Sequence, residues 1–191
     1  MNRSFRVATA MLASVAAGLA PILAPTITSA VTRPVSASAP RCATSALTVW
    51  LGIGAGQNAA GSTYYPMEFT NVSGQTCQLV GFPVVSASHN GQQVGSPAQR
   101  VQSVPKRTVT LTPGATAHTV LQIVNVANFP ADACTPVSAT ALRVNPPHRR
   151  TATEIPFSNA AGSFSFSACS VEGTIFMSVR PIQAGVGVPG Y

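Results

Sequence analysis

Tyr64-Tyr65-Pro66-Met67-Glu68-Phe69-Thr70-Asn71-Val72-Ser73-Gly74-Gln75-Thr76-Cys77-Gln78-Leu79-Val80-Gly81-Phe82-Pro83 is the stretch whose reading decides the fold. Strand side chains alternate between two faces, so Tyr65, Met67 and Phe69 fall on one side of a first strand. Gly74 marks a tight turn, Cys77 follows it, and a second strand ends at Pro83. The expectation is a hairpin, tied by Cys77 to another part of the chain, with further strands laid around it.

On the N-terminal side, Leu47, Val49, Leu51 and Ile53 alternate with Thr48, Trp50 and Gly52, the pattern of a half-buried strand with Trp50 on its other face. Residues 54–62 read as a loop. Beyond Pro83, Val84, Val85 and Ala87 continue the second strand, and Asn90-Gly91 is the signal for a type I′ hairpin turn. Residues 93–105 read as irregular with a short edge strand. Residues 108–112 form a strand closed by Pro113-Gly114, and 118–126 the next one, with Leu121 and Ile123 on one face and Val120 and Val124 on the other. A loop over 128–136 holds Cys134. Short strands are expected at 142–144, 154–157 and 163–167, and a last one over 174–181 with Ile175, Met177 and Val179 inward.

Strand signals recur about every ten residues with turns between them, and no 3.6-residue period appears past the N-terminus. The fold class is therefore all-β: an antiparallel, immunoglobulin-like β-sandwich, with a small barrel as the alternative. Charged residues make up only 8% of the chain, so polar uncharged side chains must build the surface, and the scarcity of Glu and Lys disfavours helices.

The N-terminus reads as a targeting segment. Arg3 and Arg6 precede an apolar, alanine-rich run over 7–23, and Thr28-Ser29-Ala30 offers small residues for cleavage. Residues 1–30 are thus expected to be a signal peptide, 31–41 a disordered lead-in, 42–182 one domain and 183–191 a flexible, glycine-rich tail. Pro21 and Pro25 interrupt the apolar run and argue against a retained membrane anchor. Without Arg3 and Arg6, nine basic residues face four acidic ones, a charge of about +5. The expected location is extracellular, with association with the cell wall as a variant.

Four cysteines in an exported chain point to two disulfides. Three pairings are possible; Cys42–Cys77 and Cys134–Cys169 are preferred because each is local and brackets a similar length. Loops of that size would each contribute about 4 kcal/mol in the chain-entropy description. No CxxC occurs and no histidine lies near a cysteine, which argues against a metal or redox site.

Several of these features together resemble one known family. They are an early Cys42, the loop Gly54-Ala55-Gly56, the string Phe69-Thr70-Asn71-Val72-Ser73 leading to Cys77-Gln78-Leu79-Val80-Gly81-Phe82-Pro83, the turn 111–117, then Cys134 and Cys169. The chain is similar to an actinobacterial secreted family, the domain of unknown function 4232. The resemblance covers most of residues 42–181, and implies an exported or lipid-anchored protein of the cell envelope; with no lipobox before Cys42, a freely secreted one is expected. It carries no activity and no catalytic residue with it.

The search for chemistry is correspondingly spare. No Gly-x-Ser-x-Gly elbow occurs, and His89, His118 and His148 sit in unrelated contexts. The acids are Glu68, Asp132, Glu154 and Glu172 alone. The alternative, a hydrolase acting on envelope polymers with a site assembled only in the fold, would need Glu68, Glu154 or Glu172 joined to a histidine. Gly52 to Gly56 has only the outline of a phosphate loop and lacks its lysine. Met67 and Met177 with His118 could be written as a copper set, but inward strand methionines read as core. Asn71-Val72-Ser73 matches a glycosylation acceptor; its reading here is turn chemistry, because Asn tolerates the left-handed conformation. Neither cofactor nor metal is expected. Two basic groups remain: Arg100, Lys106 and Arg107, and Arg143, His148, Arg149 and Arg150. Their functional reading is contact with an anionic envelope polymer or an envelope protein; their plain reading is solvated charge. Nucleic acid is not an expected partner, since neither aromatic platforms nor a reading helix is evident. The expectation is thus a binding or structural module rather than an enzyme.

Overall fold

The computed structural model describes residues 38–187. The expected signal peptide, most of the lead-in and the last four residues lie outside them. The first strands are β1 (Leu47–Leu51), β2 (Gln57–Ala59), β3 (Ser62–Asn71), β4 (Cys77–Val80), β5 (Val84–His89) and β6 (Gln92–Val94). Then come β7 (Gln99–Arg100), β8 (Thr108–Leu111), β9 (Thr116–Val124), β10 (Pro136–Ala139), β11 (Ala141–Asn145) and β12 (Thr153–Pro156). The last are β13 (Ser158–Asn159), β14 (Gly162–Ser163), β15 (Phe166–Cys169), β16 (Met177–Val179) and β17 (Gln183–Ala184). The only helical pieces among the described residues are three 3₁₀ turns. No helix there is long and apolar enough to cross a membrane.

The largest sheet runs β1-β3-β9-β16-β7, with β2 beside the start of β3 and β17 beside the start of β9. A second sheet runs β12-β11-β5-β6, and β4-β8, β10-β15 and β13-β14 are two-stranded. Every pairing of these strands is antiparallel except that of β7 with β16. Met67 and Phe69 of β3, Leu121 of β9, Val85 of β5 and Leu142 of β11 are almost fully buried in one shared core. Each such side chain contributes about 1.5–3 kcal/mol of burial. Two large sheets sharing one core are compatible with the sandwich expected from the sequence.

β3 holds the middle of the largest sheet although Pro66 lies within it. A proline cannot donate to a ladder and is normally confined to edges or gaps. Here the neighbour on one side is broken: β1 ends opposite Met67 and β2 begins opposite Tyr64. The Pro66 carbonyl accepts from Gly52 N at 2.8 Å, so its missing N–H would have pointed into that gap.

The decisive stretch corrects one expectation. β3 and β4 do not pair with each other: β3 pairs with β1, β2 and β9, and β4 pairs with β8. The turn between them carries the chain from one sheet to another. The parallel connection from β8 to β9 makes the same crossing, through Pro113 and Gly114 at φ +79°. Asn71, fully buried, stitches the two crossings together. Its Nδ2 donates to the carbonyls of Gln75 (2.8 Å) and Leu111 (3.0 Å), and its Oδ1 accepts from Ser73 N (3.0 Å) and Ser73 Oγ (2.7 Å). Its backbone accepts from Gly114 N and donates to the Ala115 carbonyl. Asn71 therefore serves the turn through its side chain and not through a left-handed backbone, which it does not adopt. The buried, fully bonded amide also makes the acceptor motif inaccessible in the folded protein.

Both disulfides form as preferred, Cys42–Cys77 and Cys134–Cys169, each across 35 residues. The Asn90-Gly91 turn has positive φ at both positions and joins β5 to β6. Other expectations need revision. Residues 57–59, read as loop, form β2, a polar strand with no buried residue, and Pro136–Ala139 forms β10 outside every strand expected from the sequence; β10 is exposed over its first three residues and buries only Ala139. The single strand expected over 163–167 is split between β14 and β15. Ile175 points to solvent while Phe176 is buried, because regular pairing begins only at Met177 and the preceding residues do not keep the strand alternation. Residues 183–187, expected to start a flexible tail, are bonded to the sheet: β17 pairs with β9 and Gly185 N donates to the Thr116 carbonyl at 3.0 Å.

The two-residue turn between β2 and β3 is Ala60-Gly61, with φ +48° at Ala60 and +73° at Gly61. A left-handed alanine is strained by about 1–2 kcal/mol, and asparagine tolerates that conformation better. Ala60→Asn is expected to stabilise by about 1 kcal/mol, raising Tm by about 2–4 °C. An unchanged or lowered calorimetric midpoint would refute the strain argument.

Candidate functional site

Gly81, Phe82 and Val84 form the floor of a hollow of about 540 Å³ on the segment linking β4 to β5. The backbone turns there through Gly81 at φ +92°, a conformation that favours glycine, and the Gly81 carbonyl is held by Ile182 N at 2.8 Å. Around this floor stand Arg41, Arg100, Lys106, His148, Arg149 and Arg150. Neither aspartate nor glutamate lines it.

The cations are staged differently. The Arg100 guanidinium lies 6.0 Å and the Lys106 ammonium 5.7 Å from the centre of the buried Phe82 ring, a distance at which the ring quadrupole attracts a cation. Arg149 faces inward to the protein: its Nε donates to the Cys42 carbonyl at 2.7 Å and a terminal nitrogen donates to the Arg41 carbonyl. It is a positioning residue, and the charges offered to solvent belong to Arg41, Arg100, Lys106 and Arg150, with the His148 imidazole beside them, all exposed. The 146–149 turn that carries His148 places it at φ +58°, closed by Arg149 N on the Pro146 carbonyl at 3.0 Å. Asn145 Nδ2 holds the Arg150 carbonyl at 2.8 Å, and Thr44 Oγ1 holds that of Thr151 at 3.1 Å. The opposite wall is fixed by the Cys42–Cys77 bridge and by Cys42 N and Gln78 N, which exchange bonds with the Gln78 and Pro40 carbonyls. A concave surface lined by one sign of charge raises the local concentration of counter-ions. This arrangement can hold an anion; it presents no nucleophile–base pair.

Of the basic residues singled out in the sequence, Lys106, His148, Arg149 and Arg150 meet here, with Arg100 beside them. Arg107 lines a different hollow with His118 and Arg180. Arg143 lies exposed on β11, between Ser86 and Glu154 of the flanking strands. Arg41 was missed. Its signal was its place beside Cys42, whose bridge to Cys77 brings it next to the Gly81 turn.

The remaining chemistry-bearing residues are apart from this cleft. Glu68 and His118 are cross-strand neighbours on the outer face of the largest sheet, and the C-terminal segment occupies both. Gly187 N donates to Glu68 Oε1 at 3.1 Å, and His118 Nδ1 is 2.9 Å from the Gly185 carbonyl. Met67 and Met177 are in the core on the opposite side of the sheet from His118, so the copper set is not assembled. Among the described residues there is no cluster of three or more His, Cys, Asp or Glu side chains that could hold a metal. Glu154 lies near Ser88 Oγ, at 3.4 Å.

A family described as a domain of unknown function (DUF4232) matches residues 42–174. That span begins at the first disulfide cysteine and includes every cleft residue but Arg41. No curated protein matches the chain.

Proposed function

From the premise that the chain belongs to the DUF4232 family, we propose that it is a non-catalytic binding module that grips an anionic polymer in the cleft of Arg41, Arg100, Lys106, His148 and Arg150. One observation carries this reading. Basic residues from three distant segments surround one hollow from which carboxylates are absent. Such convergence in so sparsely charged a protein supports an anion-binding face over dispersed solvated charge. Two disulfides fit an oxidising, extracellular setting, where the polymer would be a component of the cell envelope.

The test is binding of the domain to two defined polyanions, polyphosphate and polygalacturonate, followed by calorimetry or sedimentation. Arg41→Ser, Lys106→Ser and Arg150→Ser combined are expected to weaken binding by at least about tenfold, equivalent to about 1.4 kcal/mol. Raising NaCl from about 50 to about 300 mM should weaken the unaltered protein more than the triple variant. Arg143→Ser is the control and should bind as the unaltered protein does. Equal binding by the triple variant and the control, or affinity indifferent to salt, would sink the proposal. Arg149 is left intact because its guanidinium holds the main chain.

A further inference from the structure

Another hollow, of about 510 Å³, lies where β2, the start of β3, the end of β9 and β15 meet. Its volume is in the range of small-molecule sites. Its lining contains no Asp, Glu, Lys, Arg or His. The polar groups are uncharged: Asn58, Ser62, Thr63, Asn125 and Ser167, with the backbone of the Ala60-Gly61 tip. Two rings, Tyr65 and Phe166, complete it, both half-buried and so partly open to a ligand.

These walls are built before any ligand arrives. The Gly61 carbonyl accepts from Asn125 N at 2.8 Å and from Asn128 Nδ2 at 3.1 Å, clamping the strained hairpin tip to the turn after β9. Gly61 has φ +73°, which favours glycine, and a Cβ there would lie 2.5 Å from Asn128 Nδ2, so any side chain would displace that amide from the clamp. Buried Phe157 locks the two rings: it meets Tyr65 edge-on at 5.6 Å and Phe166 at 4.7 Å. Thr63 Oγ1 donates to Asn58 Oδ1 at 2.6 Å, fixing the wall beside Tyr65. Burial raises the Tyr65 phenol above its ordinary value, so it is a neutral hydroxyl at physiological pH.

The chemistry of the lining narrows the ligand. An ion would find no counter-charge. A purely apolar ligand would strip water from amides and hydroxyls without replacing its hydrogen bonds. What fits is an uncharged molecule with hydroxyls around its edge and an apolar face to lie on a ring. We propose that this hollow is a second binding site, for a neutral saccharide, with Tyr65 and Phe166 as the ring contacts and Asn58, Asn125 and Ser167 as the hydroxyl partners. It is independent of the cationic cleft and stands whether or not that cleft binds a polymer.

The test is an amide-resolved NMR titration of the domain with maltohexaose, mannohexaose, chitohexaose and arabinohexaose, and with a neutral Gly-Ser hexapeptide. At least one saccharide is expected to shift the amides of residues 58–63, 124–126 and 166–167 saturably. Its affinity should be the same at about 50 and about 300 mM NaCl, as screening leaves an uncharged ligand unaffected. Phe166→Ala should weaken it about tenfold. Ser167→Arg, at an exposed position, blocks the mouth without touching the core and should abolish the shifts while leaving the amides of β4 in place. The proposal is overturned if no saccharide shifts these amides, if the peptide shifts them equally, or if Ser167→Arg binds unchanged.

Discussion

Gly95→Ala is expected to cost at least about 3 kcal/mol, lowering Tm by about 10 °C, or to leave the domain unable to fold. Gly95 has φ +60°, a left-handed conformation that strains alanine by about 1–2 kcal/mol. A second cost is larger. A Cβ there would sit 2.0 Å from the carbonyl oxygen of Cys169 and 3.2 Å from its carbon. Backbone cannot rotate away as a flexible side chain can. β15, the Cys134–Cys169 bridge and the buried Phe176 ring, at 3.6 Å from the same position, would all have to shift. Gly91→Ala separates the two costs. Gly91 also has positive φ, +76°, but its nearest neighbour, a Glu154 oxygen, is 3.9 Å away. It should lose only the backbone strain, about 1–2 kcal/mol. Calorimetric midpoints of the two variants within about 2 °C of each other would show that the close approach is not a constraint.

Asn71→Ala is expected to destabilise by about 2–4 kcal/mol, since four side-chain hydrogen bonds disappear and the Leu111 carbonyl loses its buried donor. Asn71→Asp should be worse than alanine: it keeps the acceptor for Ser73 but removes the donor and places a carboxylate where nothing compensates it. Ser73→Ala removes only the outer part of the cluster and should cost about 1 kcal/mol. Urea denaturation of the three variants tests the order Asp, Ala, Ser73→Ala from most to least damaging. An Asn71→Ala midpoint equal to that of Ser73→Ala would remove Asn71 as the stitch between the two sheet crossings.

These two positions also mark where reading the chain in one dimension runs out. Period-two alternation identified β3, β8 and β9, because a half-buried strand must place apolar side chains on one face wherever it pairs. It could not say that β4 leaves β3 for β8, since alternation is a property of one strand and pairing is a property of two. Asn-Gly reported its turn, because two positive φ angles demand those residues locally. Ala60-Gly61 makes the same turn with a residue that ordinarily avoids it, so no local signal existed. β2 and β10 escaped for a related reason: β2 buries no residue and β10 buries only Ala139, so neither shows an alternating apolar face.

The cleft divides in the same way. Its basic residues were visible in two clusters, and the Gly81-Phe82-Pro83 run was visible as part of the family resemblance. Their convergence was not. Arg149, read as a ligand contact, spends its guanidinium on main-chain carbonyls, and Arg41 takes the place at the rim. The neutral hollow left no trace in sequence at all, because Asn, Ser, Thr, Tyr and Phe are ordinary residues until strands bring them to one wall.

What the linear order of residues determined is whatever acts over a few neighbours, strand periodicity and turn chemistry, together with sparse charge and an even set of cysteines. What only the tertiary structure decided is which strands are partners, which cations share a hollow and which polar side chain bridges two layers. The physical reason is that hydrogen-bond pairing and electrostatic convergence depend on distances between residues about 40 to 110 positions apart, and those distances exist only once the core has closed.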